Sequence, residues 1–298
     1  MIYYDFHCDT LYEMEKRGLP YEQERLHIGP SKSRVFDEYG QVFAAWSDHK
    51  KSDGACMEAF RRMRSLFEEQ IAPRASDTFR PFLAVEDARL LEGRIERLEE
   101  LYDSGVRLMT MTWQGESCIG GAFDTEIGLT DFGKEAVRQM IRLGMVPDIS
   151  HASDKTAGEI LDIAEREGGI AVATHSNARS VFAHPRNLTD DLFRRVLAVG
   201  GMVGISLAPQ HLAEDADIGS VLRHLEHDLS LGGEDALCLG CDLDGVERLP
   251  RGIASVADVK TLIEAMPFGE SVKKKIAGEN LKRFLLSIYN DGSKYDCT

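Results

Sequence analysis

Five residues into the chain, after the apolar run Ile2-Tyr3-Tyr4, the sequence reads Asp5-Phe6-His7-Cys8-Asp9-Thr10. On a β-strand, side chains two residues apart leave the same face, so this spacing aims the imidazole of His7 and the carboxylate of Asp9 at one point. Neutral imidazole with carboxylate is a ligand set for a divalent ion such as zinc, and a strand end holds it stiffly. A lone His-x-Asp pair is a common pattern, so its meaning depends on what else reaches the same place. Glu86, His151, His175, Asp242 and Asp244 each follow a short apolar run of their own. Three imidazoles and three or four carboxylates at one mouth suffice for two divalent ions. A bridging carboxylate would hold the ions about 3.5–4 Å apart, with a shared water acidified enough to supply hydroxide near neutral pH. The chemistry that follows is hydrolysis.

Positioning these side chains requires a fold in which many strand ends meet. Short β-rich apolar runs recur at 2–6, 41–45, 81–85, 107–111, 145–149, 170–174, 202–206 and 236–240. Segments with helical periodicity alternate with them at 53–71, 88–103, 131–143, 154–167, 189–199, 215–231 and 255–265, and a last one covers 269–290. This alternation marks parallel βα units. Eight of them predict an α/β fold of the (β/α)8 TIM-barrel type, whose active site lies at the C-terminal strand ends. A doubly wound open sheet is the rival, but its Gly-rich phosphate turn would occupy the place where this chain has His7-Cys8-Asp9. Helix starts are signalled at Thr130-Asp131 and Ser153-Asp154. Residues 114–129, polar and glycine-rich after the fourth strand, read as an active-site loop, and 27–40 as a second irregular stretch. No linker, repeat or low-complexity tract divides residues 1–298, which read as one domain with a C-terminal helical extension.

The 298 residues carry 43% hydrophobic and 29% charged side chains, ordinary globular values that exclude fibrous and disordered classes. A formal net charge of -15 excludes a nucleic-acid partner, because no basic stripe exists to neutralise phosphates. Lys273-Lys274-Lys275, the longest basic run, reads as a solvated helix face. Six cysteines at 8, 56, 118, 238, 241 and 297 lack the density of a disulfide scaffold and are expected to be reduced thiols. Cys238-x-x-Cys241 has no second pair with which to complete a tetrahedral zinc site. No signal peptide precedes the first strand, and no apolar run approaches the roughly 20 residues of a membrane helix. These features place the chain in the cytoplasm with a small-molecule substrate and no membrane or nucleic-acid partner; a homodimer is left open.

An ordered series of motifs carries a more specific reading. It comprises His7-Cys8-Asp9-Thr10, Val85-Glu86, Gly128-Leu129-Thr130-Asp131-Phe132-Gly133, Asp148-Ile149-Ser150-His151-Ala152-Ser153, Thr174-His175-Ser176, Pro185-Arg186-Asn187 and Asp242-Leu243-Asp244-Gly245. The series resembles the renal or membrane dipeptidases, binuclear zinc dipeptidases of the metal-dependent hydrolase superfamily. The resemblance implies a (β/α)8 barrel with two Zn2+, His7 and Asp9 on one ion, His151 and His175 on the other, and Glu86 bridging them. It further implies that Arg186 grips the free carboxylate of a dipeptide, which suits a bidentate guanidinium. Asp242 would be the proton shuttle, with Asp244 the weaker candidate for that role and otherwise a substrate contact. The implied reaction is attack of the zinc-activated hydroxide on the peptide carbonyl.

Two positions depart from that family's pattern. Where the family has a histidine after strand four, in contact with substrate, this chain reads Thr110-Met111-Thr112-Trp113. An indole donates one hydrogen bond but cannot become a cation, so Trp113 is expected to contact and shape the substrate pocket. Asp87-Ala88 replaces a Gly-Gly pair after the bridging Glu, and Asp87 reads as a helix N-cap. The departures keep a second reading open: a weakly active or non-peptidase relative that takes another small amide or merely binds. His184 reads as a loop residue. A single-metal deaminase is disfavoured, since those commonly carry His-x-His on strand one, where this chain has Asp9.

Overall fold

β-Branched and aromatic residues concentrate in the runs that start at residues 2, 38 and 79, and in the computed structural model these form the longest strands of one parallel sheet. The structure describes residues 1–46, 48 and 54–289. The strands are β1 (Ile2–Cys8), β2 (Glu38–Trp46), β3 (Phe79–Glu86), β4 (Leu108–Thr110), β5 (Val146–Asp148), β6 (Val203–Ile205) and β7 (Leu237–Leu239), in the order β5-β4-β3-β2-β1-β7-β6. The helices are α1 (Thr10–Arg17), α2 (Pro30–Ser33), α3 (Ala55–Leu66), α4 (Arg97–Asp103), α5 (Asp131–Leu143), α6 (Asp154–Glu167), α7 (Asp190–Ala198), α8 (Ile218–Ser230), α9 (Val259–Ala265), α10 (Glu270–Lys274) and α11 (Asn280–Tyr289).

Eight strands were expected, and the described residues form seven. The missing one is the run at 170–174, which makes only single parallel bridges, Val172 to Asp148 and Ala173 to Val203. On the β5 side Pro147 supplies the reason. Val146 N donates to Arg107 O on the β4 side, which turns position 147 toward residues 170–172, and there proline has no N–H to give. The segment nevertheless stands between β5 and β6, since Ile149 N donates to Val172 O and Gly204 N to Ala173 O.

Two buried layers flank the sheet. Tyr4, Phe6, Val42, Phe82, Leu108, Val146, Val172, Met202 and Cys238 cluster with Leu281, Phe284, Leu285 and Tyr289 of α11. Helix α11 packs under the sheet against these residues, while His7 and Glu86 lie beyond them at the C-terminal ends of β1 and β3. Tyr289 Oη, in that apolar layer, donates to Leu83 O at 2.7 Å. The opposite faces pack against the remaining helices in a larger cluster.

The expected caps are present: Thr130 accepts from Gly133 N and Ser153 from Thr156 N. Three helical expectations need correction. The segment 88–103 is a 3-10 turn (Ala88–Leu91) and then α4, broken by left-handed Glu92 and Gly93, with φ 48° and 71°. The last segment breaks similarly into α10, a π-turn and α11. Residues 27–40 are not wholly irregular, because they hold α2 and the start of β2. The expected helix start at 53, the end at 290 and Cys297 lie outside the described residues. Helix α1 was not among the expected helices; Asp9 stands at its N-cap but makes no capping bond.

Candidate metal centre

A β-bulge shapes the end of β1. Asp5 pairs with Gln41 and Cys8 with Phe43, so three steps along β1 match two along β2. A bulge interrupts the ladder, frees an N–H and re-aims the side chains beyond it. Asp5 compensates: its Oδ1 accepts from His7 N at 3.1 Å and from Cys241 N at 3.0 Å, and Tyr3 Oη donates to its other oxygen. Asp242 N donates to His7 O and Asp9 N to Leu243 O, which tie the ends of β1 and β7 together. The Asp9 carboxylate, not used for capping, lies with its Oδ2 3.6 Å from His7 Nε2.

Glu86, the last residue of β3, faces three imidazoles. Its Oε2 is 3.4 Å from His7 Nε2, and its Oε1 is 3.1 Å from His151 Nε2 and 3.4 Å from His175 Nε2. His151 Nδ1 lies 3.2 Å from the Trp113 carbonyl oxygen. That oxygen can only accept, so Nδ1 carries the hydrogen and Nε2 presents a lone pair, 2.9 Å from His175 Nε2. Among the described residues, three trios have ligand atoms within 4.8 Å of one another: His7-Asp9-Glu86, Glu86-His151-His175 and His7-His175-Asp242. All five expected metal ligands therefore converge, and Asp242 joins them.

The electrostatics fit a cation. Burial holds His151 and His175 well below the ordinary imidazole range, and the charges of Arg186 and His7 add to it. Both are neutral, as metal ligands must be. Burial also lowers His7, but Glu86 and Asp9 outweigh it and raise that imidazole well above its usual value. Burial and then the neighbouring Glu86 push Asp9 up to about 6, and burial and then Asp9 raise Asp242 well above the carboxylate range. These are acidic oxygens crowded around too little positive charge. His7 Nε2 and Asp9 Oδ1 are buried without a hydrogen-bond partner. Such atoms each cost about 1–3 kcal/mol unless something binds them, and a divalent cation takes lone pairs from the whole set.

Gly245 closes the cradle, since a Cβ there would overlap both Asp9 Oδ2 and Asp242 Oδ1. Gly245→Ala is expected to weaken metal binding at the His7/Asp9 side by tenfold or more, read by metal analysis of the dialysed protein; unchanged affinity would mean that the two carboxylates can part at no cost.

The remaining candidates fall around this centre. Arg186 is buried, with Nη1 donating to Ser176 Oγ and Nη2 to His175 O, each at 2.9 Å, while its Nε has no partner. Trp113 lines a cleft of about 460 Å3 together with Asp9, Tyr12, Trp46, Glu86 and Asp244. Its ring centroid is 4.7 Å from that of Trp46, whose own centroid is 4.6 Å from that of Tyr12. Asp244 uses both oxygens within the protein, accepting from Thr10 Oγ1 and His27 N at 2.6 Å each. Asp87 is an N-cap, as read from the sequence, with Arg89 N and Nε donating to it. His184 Nδ1 accepts from Arg186 N in the loop. The described cysteines are free; Cys238 lies in the layer under α11 and Cys241 in the opposite one, so the Cys-x-x-Cys spacing forms no site. The loop after β4 docks beside the centre through Phe123 N, which donates to His151 O. Sequence reasoning missed Asp5, Trp46, Asp148, Thr174 and Ser176. Asp5, Asp148, Thr174 and Ser176 had one signal, their place within or beside a ligand's motif; Trp46, at the end of β2, had none.

A parallel α/β fold that carries imidazoles and carboxylates at its C-terminal strand ends has the make-up of a metallohydrolase. Residues 55–292 match the family model of the membrane dipeptidases, peptidase family M19, and the chain belongs to that family. An uncharacterized dipeptidase of Schizosaccharomyces pombe is 31% identical over 212 residues, which are 67% of this chain and 51% of that protein. An uncharacterized protein of Klebsiella pneumoniae, from the pqqA 5' region, is 31% identical over 222 residues, 69% of this chain and 80% of that one. This chain thus spans about half the length of the yeast relative. A metallo peptidase from Rhodobacter sphaeroides, solved with a phosphinate mimic of the dipeptide L-Ala-D-Ala, superposes with a TM-score of 0.88 at 22% identity, covering 97% of this chain and 99% of that one. At that identity the likeness concerns the fold.

Proposed function

We propose that this chain is a binuclear zinc dipeptidase in which His7 and Asp9 hold one ion, His151 and His175 the other, and Glu86 bridges them. The observation that supports the reading most strongly is the convergence of three imidazole Nε2 atoms on the two oxygens of one buried carboxylate. Two zinc ions held there would polarise a peptide carbonyl and acidify the water shared between them. Segment 170–174 takes the place of the eighth strand in a barrel of the expected type.

The protein's own groups supply the rest. Asp242, grouped with His7 and His175, takes the proton of the attacking water and passes it to the leaving amine. Arg186 has no carboxylate within ion-pair distance among the described residues, although burial lowers it only to about 10 and it stays charged at neutral pH. A buried cation without a counter-ion is held ready for an anion from outside, and the C-terminal carboxylate of a dipeptide is that anion. Trp113, with Trp46 and Tyr12, walls the cleft beside Asp9 and Glu86 and limits what the N-terminal residue can be. Asp244 bounds the same cleft while anchoring Thr10 and His27.

The same tryptophan wall favours, as a second reading, a relative that takes another small amide, and one experiment separates the two. Arg186→Met is expected to lower kcat/KM about 10–100-fold for dipeptides with a free C-terminus and to leave their C-terminal amides little changed, since a charge-assisted hydrogen bond is lost only for the former. Equal losses on both substrates would make Arg186 structural. Absence of turnover on a panel of dipeptides by zinc-loaded protein would move the substrate to another amide. No described helix is long and apolar enough to cross a membrane, and the free buried thiols are in keeping with the cytoplasm.

A further inference from the structure

Asp148 ends β5 beneath the His151/His175 half of the centre and is fully buried. It contacts neither imidazole directly, yet four donors converge on it. Oδ1 accepts from Ser150 N at 2.8 Å and Thr174 N at 3.0 Å. Oδ2 accepts the hydroxyls of Thr110 and Thr174, each at 2.6 Å. Only an acceptor-only carboxylate satisfies four donors at once.

Thr174 Oγ1 also lies 2.8 Å from His175 Nδ1. A hydroxyl has a single hydrogen, and the short bond to a carboxylate claims it. Toward His175, Thr174 must therefore accept, so Nδ1 carries the imidazole hydrogen. The Nε2 lone pair is then left facing Glu86 Oε1 and His151 Nε2.

We propose that Asp148 is a positioning residue that acts through Thr174 to hold His175 in the tautomer able to ligate a metal. The inference rests on the zinc reading above for its consequence, but the chain of hydrogen bonds stands without it. His151 needs no such relay, because a backbone carbonyl already fixes its Nδ1 hydrogen. Asparagine at position 148 can still accept the two backbone N–H groups through its oxygen. Its NH2 would then face the threonine hydroxyls, so Thr174 accepts from it and donates onward to His175 Nδ1. The imidazole hydrogen moves to Nε2, where a ligand needs a lone pair.

The test uses Asp148→Asn and Thr174→Val, with zinc content measured against a chelator series and histidine tautomers read by 15N NMR on zinc-free protein. Wild type is expected to bind two zinc ions with the His175 hydrogen on Nδ1. Asp148→Asn should weaken one zinc about 10–100-fold, leave the other in place and show one histidine with its hydrogen on Nε2. Thr174→Val, which removes the relay and keeps Asp148, should weaken the same ion. In a His175→Ala background, Asp148→Asn should cause no further loss. Wild-type zinc affinity together with an unchanged tautomer in Asp148→Asn would overturn the proposal. If that variant does not fold, the same result in Thr174→Val would do so. Wild type that binds no zinc would sink the zinc reading instead, and the NMR comparison would still decide the tautomer.

Discussion

Glu86→Ala should cost the protein both zinc ions, whereas loss of an ordinary ligand would cost one. The two oxygens of this carboxylate lie within 3.1–3.4 Å of three imidazole Nε2 atoms that belong to both halves of the centre. Without it, each half retains two side chains from the assigned set, fewer than the three or four protein ligands that hold zinc firmly. The remaining imidazoles would also face one another with no anion between them, and burial already disfavours charge on His151 and His175. Dipeptide hydrolysis is expected to fall to background with the metal. Elemental analysis of protein purified without chelator reads the first effect, and two ions retained in Glu86→Ala would remove Glu86 from the bridge.

Asp242→Asn is expected to leave the zinc content unchanged while lowering kcat by about 10²–10⁴, the usual worth of a positioned proton acceptor. An amide has nearly the shape of a carboxylate but cannot take up a proton. The residue sits at φ 59°, a left-handed conformation uncommon for a non-glycine residue, and the surrounding bonds to β1 hold it there. Asp244→Asn is the matched comparison. Its carboxylate holds Thr10 and the His27 backbone, so its loss should appear chiefly as lowered thermal stability. An active Asp242→Asn beside an inactive Asp244→Asn would exchange the two roles.

The amino-acid sequence by itself picked out the five candidate ligands, since His7, Asp9, Glu86, His151 and His175 each close or follow an apolar run, and a parallel α/β fold gathers such ends at one mouth. The helix starts at Thr130 and Ser153 were equally legible, because capping is decided within four residues. Non-local geometry was not. The bulge between Asp5 and Cys8 exists only against β2, and its freed N–H is taken by a carboxylate that also reaches Cys241. Residues 170–174 have the composition of a strand, yet a proline on the neighbouring β5 denies them a ladder on that side, which periodicity within the run cannot report. His151, Asp242 and Asp244 are left-handed without being glycine, so residue type does not announce that conformation. The tautomer of His175 depends on how Asp148 is satisfied by Thr110, Ser150 and Thr174 together. A sequence specifies which side of an element a residue occupies, but distances between atoms tens or hundreds of positions apart are set by strand order, register and bulges, and the chemistry of this centre lies in those distances.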